Sequence, residues 1–233
     1  MDGQDLILAT GAPGSRWSGT LRAISTNPNI NISDERSELE YARDYVTPDG
    51  KTKQYGWHRG AYWGPYHNQG QRFDNLQDMT KDEIIKEFKK PYRDFNYGVK
   101  IIKSHWFAYH LPLLQDLFPK AKIMAVYMPS NFCFDWWRNK VGGWDISYPH
   151  YDWYENDARM IKQINIENTN IENFFDLEQL SIYEVFEKLG LPSEFRSEEE
   201  LISQDSKLKD LTKNKDYKKV LDNTVHRSFT GIK

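Results

Sequence analysis

Apolar positions along this chain fall into short unbroken runs separated by helical stripes. Residues 6–9, Leu-Ile-Leu-Ala, form a run too short for a helix and suited to a strand covered on both faces. Small residues, a Pro and an Arg follow it. The pattern then reads helical over residues 18–24, with Ser18 placed to cap that helix. Two later runs share the character of the first, at residues 99–102 and 122–127. A helix is expected to begin at Thr80, with Glu83 as capping-box partner and Ile84, Ile85 and Phe88 as its apolar stripe, and to stop at Pro91. Another is expected over residues 111–118, closed by Pro119. Met128-Pro129 then turns the chain into a helix that runs through Arg138. Strand and helix in alternation predict a parallel sheet with helices on both faces.

The other segments are less regular. Residues 30–32 read as extended, residues 34–45 as a short amphipathic helix, and Thr47-Pro48-Asp49-Gly50 as a turn. Residues 54–73 form a long aperiodic loop carrying Trp57, His58, Arg59, Tyr62, Trp63, Tyr66, His67 and Arg72. Such a loop reads either as the wall of a binding site or as a surface loop pinned by its own aromatics. A break at Gly142-Gly143 precedes a second aromatic loop at 147–154, a helix over 155–164 and a short strand over 173–178. Ser181 and Glu184 form a capping box for a helix that ends at Gly190. Beyond Ser197 the chain is charged and reads as one or two solvated helices. No repeat, linker or low-complexity tract interrupts it, so residues 1–233 are expected to form a single domain.

Composition narrows the class. Charged residues (28%) and hydrophobic ones (39%) are ordinary for a globular protein, but 15% aromatic content implies a core or cleft of large flat side chains. A formal net charge of −3 speaks against a general nucleic-acid binder, and no run approaches the length of a membrane span. The single cysteine, Cys133, rules out an intrachain disulfide and fits a reducing, cytoplasmic setting. One cysteine and six scattered histidines give no zinc-ligand spacing, so no metal is expected.

Two stretches carry candidate chemistry. Residues 11–20 take the chain from the first strand through a small-residue turn into a helix, the arrangement that points backbone N–H groups and a helix dipole at a phosphate. Gly14 and Gly19 have Walker spacing, yet Thr20 stands where that motif needs Lys, which disfavours an ordinary ATP or GTP site. The turn by itself is equally compatible with a βα connection that binds nothing. The second stretch, Lys103-Ser104-His105, directly follows a predicted buried strand, and ligands of open α/β sheets bind outside the carboxyl ends of the strands. His105 is suited to general-base work because its ordinary pKa lies near working pH, although a structural histidine at a strand end would look the same.

In order along the chain, these motifs resemble those of the sulfotransferases. Pro13, Arg16 and Ser18-Gly19-Thr20 are similar to that family's 5′-phosphosulfate loop, with Gly14, Ser15 and Trp17 as insertions. Lys103-Ser104-His105, Leu111-Pro112, the strand at 123–126, Phe175-Asp176-Leu177-Glu178-Gln179-Leu180 and Leu189-Gly190-Leu191-Pro192 continue the likeness. The resemblance implies a three-layer α/β domain of the P-loop NTPase-like type. It also implies sulfuryl transfer from 3′-phosphoadenosine 5′-phosphosulfate (PAPS), without metal, to a hydroxyl or amine of a small-molecule or glycan acceptor. His105 would be the base, and Arg16 and Lys103 the cations that stabilise the leaving phosphate. Pro13, Gly14, Ser15, Arg16, Trp17, Ser18, Gly19 and Thr20 would cradle the cofactor.

One departure concerns the 3′-phosphate, which the family holds with an Arg and a Ser. Tyr127 and Asp135 stand at those positions, and Arg138, one turn beyond Asp135, is the candidate replacement cation. Arg138 reads equally as a surface partner of Asp135, and near the C-terminus Arg227 and Lys233 are further candidates. Two alternatives remain open: a binding protein that kept the fold and lost catalysis, and, against the missing Lys, a nucleotide-dependent kinase.

Overall fold

The computed structural model describes residues 3–32, 44–46, 52–54, 61–62, 73, 75–89, 92–141, 143, 155–204 and 216–233. The expected turn at 47–50, most of the aromatic loop at 54–73, residues 34–43 of the helix expected over 34–45 and the loop at 147–154 lie outside those residues.

The central strand is β1 (Leu6–Thr10), buried along its whole length. It pairs in parallel with β5 (Lys100–Lys103) on one side and β6 (Lys122–Tyr127) on the other. β4 (Ala61–Tyr62) adds in parallel to β5, and β7 (Phe229–Ile232) adds antiparallel to β6, giving the order β4-β5-β1-β6-β7. β2 (Asp44–Val46) and β3 (Thr52–Gln54) form a separate antiparallel pair. Among the described residues the helices are α1 (Trp17–Ile24), α2 (Lys81–Lys89), α3 (Leu111–Leu117), α4 (Ser130–Trp136), α5 (Asp157–Phe174), α6 (Ile182–Leu189), α7 (Glu198–Gln204) and α8 (Tyr217–His226). The chain is thus an α/β protein with a mostly parallel sheet.

Side-chain alternation along the strands explains their apolar runs. Leu6, Leu8, Ile102, Ile123 and Ala125 face Phe88 of α2, Leu114 of α3 and Phe107. Ile7, Ala9, Ile101, Met124 and Val126 face Leu21 and Ile24 of α1, Phe186 of α6 and Leu221 and Val225 of α8. Both faces are covered, so neither can be polar.

Helix boundaries follow their caps. Thr80 and Glu83 exchange hydrogen bonds before α2, and Ser181 and Glu184 do the same at α6, which ends on Gly190 at φ 71°. α1 departs from expectation. It begins at Trp17, with Arg16 as its cap residue in the left-handed region, so Ser18 lies inside the helix rather than at its cap. The helix expected over 34–45 is contradicted at its end, where residues 44–46 are strand, and residues 61–62 of the expected loop pair with β5. The strand expected over 173–178 is replaced by the last turn of α5 and one bridge, Glu178 to Thr230. An apolar pair such as Phe174-Phe175 closes a helix as readily as it fills a strand. The tail is not merely solvated, since Tyr217, Leu221 and Val225 of α8 are buried and β7 completes the sheet.

Candidate functional site

Strand register sets the site. Ala9 lies opposite Lys103, and Ser104 N–H donates to the Ala9 carbonyl at 3.1 Å, so the chain leaves β1 and β5 side by side at their carboxyl ends. β7 runs the other way, with Phe229 opposite Tyr127 and Ile232 opposite Met124. The junction of α8 and β7 therefore reaches the same end of the sheet. Ser228, buried there, donates to the Ser15 carbonyl at 3.4 Å.

The loop between β1 and α1 is held against α4. Gly14 has φ 84°, and a Cβ there would lie 1.9 Å from the Cys133 carbonyl oxygen. Arg16 follows at φ 68°, the one non-glycine residue in the left-handed region among those described. That conformation costs about 1–2 kcal/mol, and it directs the guanidinium over the Trp136 ring, 3.9 Å from its centroid. Partial burial, and then the nearby charge of Arg227, push the Arg16 guanidinium below its ordinary pKa. The charges of Arg16 and Arg227 thus act on each other near the start of α1, whose first turn contains no acidic residue. An anion between them would relieve the repulsion.

His105 begins a 3₁₀ turn (His105–Tyr109) capped by the Ser104 hydroxyl. Its Nδ1 lies 2.6 Å from the Gly11 carbonyl oxygen and 3.5 Å from Glu167 Oε2. A carbonyl oxygen only accepts, so Nδ1 carries the proton and, in the neutral ring, Nε2 carries the lone pair. Trp17 packs on the imidazole at 4.4 Å between centroids, and the Lys103 ammonium lies 5.5 Å from the Trp17 ring. Trp17, an insertion relative to the sulfotransferase loop, is therefore the side chain that joins the two motifs. His105 is 5% exposed and Lys103 is 0% exposed.

Other candidates fall into three groups. Pro13 and Ser15 are buried in the loop, and the Ser15 hydroxyl has no hydrogen-bond partner. The Gly19 and Thr20 N–H groups, expected to face a phosphate, donate instead to the Arg16 carbonyl at 2.9 and 3.3 Å, closing the first turn of α1. The Thr20 hydroxyl is also buried without a partner, and Ser18 is half-buried on the same turn. Arg138 does not pair with Asp135. It sits in the π-helical turn Trp137–Val141, where it reaches Asp157 at 3.8 Å, while Asp135 accepts from Asn139 at 2.7 Å. Tyr127 donates to Glu172 at 2.6 Å, and burial followed by that carboxylate pushes its hydroxyl up to about 12. Lys233 is excluded by topology. Its backbone pairs with Ile123 at the beginning of β6, at the opposite end of the sheet from the loop.

Glu167 was not foreseen. Along α5 the buried positions Met160, Gln163, Ile164, Glu167, Asn168 and Ile171 recur at three- and four-residue spacing, so the signal was a carboxylate on a helix's apolar stripe. Among the described residues no three His, Cys, Asp or Glu side chains converge as a metal site, and no helix is long and apolar enough to cross a membrane.

The chain matches no protein-family model, no curated protein and no solved structure. The likeness to the sulfotransferases accordingly rests on the sequence motifs alone.

Proposed function

We propose that this protein is a PAPS-dependent sulfotransferase on a P-loop NTPase-like, three-layer fold, acting on a hydroxyl or amine of a small-molecule or glycan acceptor. The observation that carries the reading is the convergence of two motifs far apart in sequence, the Arg16 loop and Lys103-Ser104-His105, joined by the 2.6 Å contact between Gly11 and His105 Nδ1. Residues present fit a sulfonucleotide. Arg16 at the start of α1 and Arg227, whose charge acts on it, supply two positive charges, and the buried, unpartnered Ser15 hydroxyl precedes Arg16 in the loop. Arg227, rather than Arg138 or Lys233, takes the place of the missing 3′-phosphate cation. When bound, the cofactor supplies a sulfuryl group on a phosphate leaving group. His105 accepts the acceptor's proton at Nε2, and Lys103, behind Trp17, adds fixed positive charge to the site.

A second reading, a binding protein without catalysis, is favoured by one observation: His105 and Lys103 are almost wholly buried. His105→Ala separates the two. With PAPS and a panel of acceptors, release of 3′-phosphoadenosine 5′-phosphate (PAP) should fall by about 100- to 10,000-fold, while the melting temperature and PAP affinity hold. Wild-type protein that binds PAP but releases none from PAPS with any acceptor would support the binding protein.

A further inference from the structure

His105 Nδ1 faces two oxygens, the Gly11 carbonyl that accepts its proton at 2.6 Å and a side-chain carboxylate 3.5 Å away. Glu167 projects from the middle of α5 with its side chain 0% exposed. Its Oε1 accepts from Gln163 Nε2 at 2.7 Å, one turn back on the same helix. Its Oε2 has no hydrogen bond within ordinary length and lies 3.5 Å from His105 Nδ1. A carboxylate in an apolar interior is costly unless a positive charge or donors compensate it. Here the compensation is an imidazole that becomes cationic only when its far nitrogen is protonated.

We propose that Glu167 is the positioning residue of His105, an assignment that rests on His105 acting as the base in the reading above. The Gly11 carbonyl fixes the Nδ1–H tautomer, and the Glu167 carboxylate stabilises the imidazolium that forms as Nε2 takes the acceptor's proton. In that step the acceptor's O–H or N–H bond breaks, its lone pair forms the new bond to sulfur, and the bond between sulfur and the phosphate oxygen breaks. The bisphosphate leaves with that electron pair. Charge in the active site is then shared between a phosphate held by arginines and an imidazolium held by Glu167.

Other charged and titratable groups around the pair are compatible with this role. Lys103 of β5 approaches through Trp17, and Arg16 lies across the loop on Trp136. Cys133 of α4 and Tyr109 of the 3₁₀ turn are held neutral by burial first, with the Glu167 carboxylate contributing in the same direction. A carboxylate among these groups therefore has His105 as the partner able to gain a compensating charge.

The test combines nitrogen NMR of the imidazole with kinetics, using the whole chain and the isosteric variant Glu167→Gln. In wild-type protein without ligand, His105 should show the Nδ1–H tautomer. In Glu167→Gln the midpoint of the imidazole signal should move to lower pH, because the charge favouring the protonated ring is gone. The acidic limb of the pH–rate profile should move to lower pH by the same amount. kcat should drop about 10-fold with KM for PAPS unchanged. An Nε2–H tautomer in wild type, or a His105 titration unchanged by Glu167→Gln, overturns the proposal. The wild-type tautomer keeps the test decisive even if the variant fails to fold. Failure of the transferase reading looks different: PAP leaves the melting temperature unmoved while the imidazole titration still responds to Glu167→Gln.

Discussion

Replacing Gly14 by Ala tests how firmly the loop is seated. Gly14 has φ +84°, and a Cβ there would stand 1.9 Å from the Cys133 carbonyl oxygen, 2.8 Å from its carbon and 3.0 Å from the Trp137 nitrogen. All three are backbone atoms of α4 and its continuation, which cannot swing aside as a side-chain tip can. Holding Ala in the left-handed region costs about 1–2 kcal/mol. Forcing the loop and α4 apart adds about 1–3 kcal/mol, for a total of about 2–5 kcal/mol. Gly190 provides the internal control, since it has φ +71° with nothing within 4 Å of its would-be Cβ. Gly190→Ala should therefore carry the backbone cost alone, about 1–2 kcal/mol. At roughly 2–4 °C per kcal/mol for a chain of this size, calorimetric melting should fall by about 4–20 °C for Gly14→Ala and about 2–8 °C for Gly190→Ala. Gly14→Ala should also weaken PAP binding, because Arg16 moves with the loop. If Gly14→Ala destabilises no more than Gly190→Ala, the close seating of the loop on α4 is refuted.

Three further outcomes are expected. Cys133 is buried, donates to the Met128 carbonyl at 3.2 Å, and has its thiol pushed up to about 12, mainly by burial. Thiol reagents should therefore label it only after denaturation. The folded thiol stays neutral where the unfolded one, near 9, ionises, so this contribution to stability is full below pH 9 and is lost as pH rises toward 12. Urea melts across that range should show midpoints that fall with pH, less steeply in Cys133→Ala. Arg227→Ala should weaken PAP binding about 10-fold or more, whereas Lys233→Ala, at the far end of the sheet, should leave it unchanged in a calorimetric titration. Equal effects of the two substitutions would contradict the placement of the α8–β7 junction beside the loop.

The parts of this fold that could be read from sequence are those decided locally. The runs at 6–9, 99–102 and 122–127 are buried on both faces, so their composition alone marks them as strands. The boxes Thr80/Glu83 and Ser181/Glu184 satisfy helix N–H groups within four residues, and both are present. What escaped was decided by distant partners. β7 is four residues long with a Gly inside, follows a charged stretch, and is a strand because β6 offers it an open edge. Arg227 consequently looked no better placed than Lys233, although the antiparallel direction of β7 puts them at opposite ends of the sheet. Arg16 at the helix cap depends on α4 lying beneath Gly14, and Ser18 was the better cap by residue type alone. Glu167 lay beyond the helix expected over 155–164, and its burial exists only once the longer α5 covers the 3₁₀ turn that carries His105. His105 and Lys103 were legible as candidates, but their meeting with the Arg16 loop depends on the pairing of β1 with β5.

The most direct test of the central claim is a thermal-shift titration of the whole chain with PAP, run beside AMP and ATP. A ligand of the native state at about 100 times its Kd adds about 2.7 kcal/mol, or about 5–10 °C of melting temperature for a chain of this size. The account predicts that shift with PAP, little with AMP, and loss of the PAP response in Arg16→Ala and Arg227→Ala. A cooperative melt that none of the three nucleotides moves would contradict it.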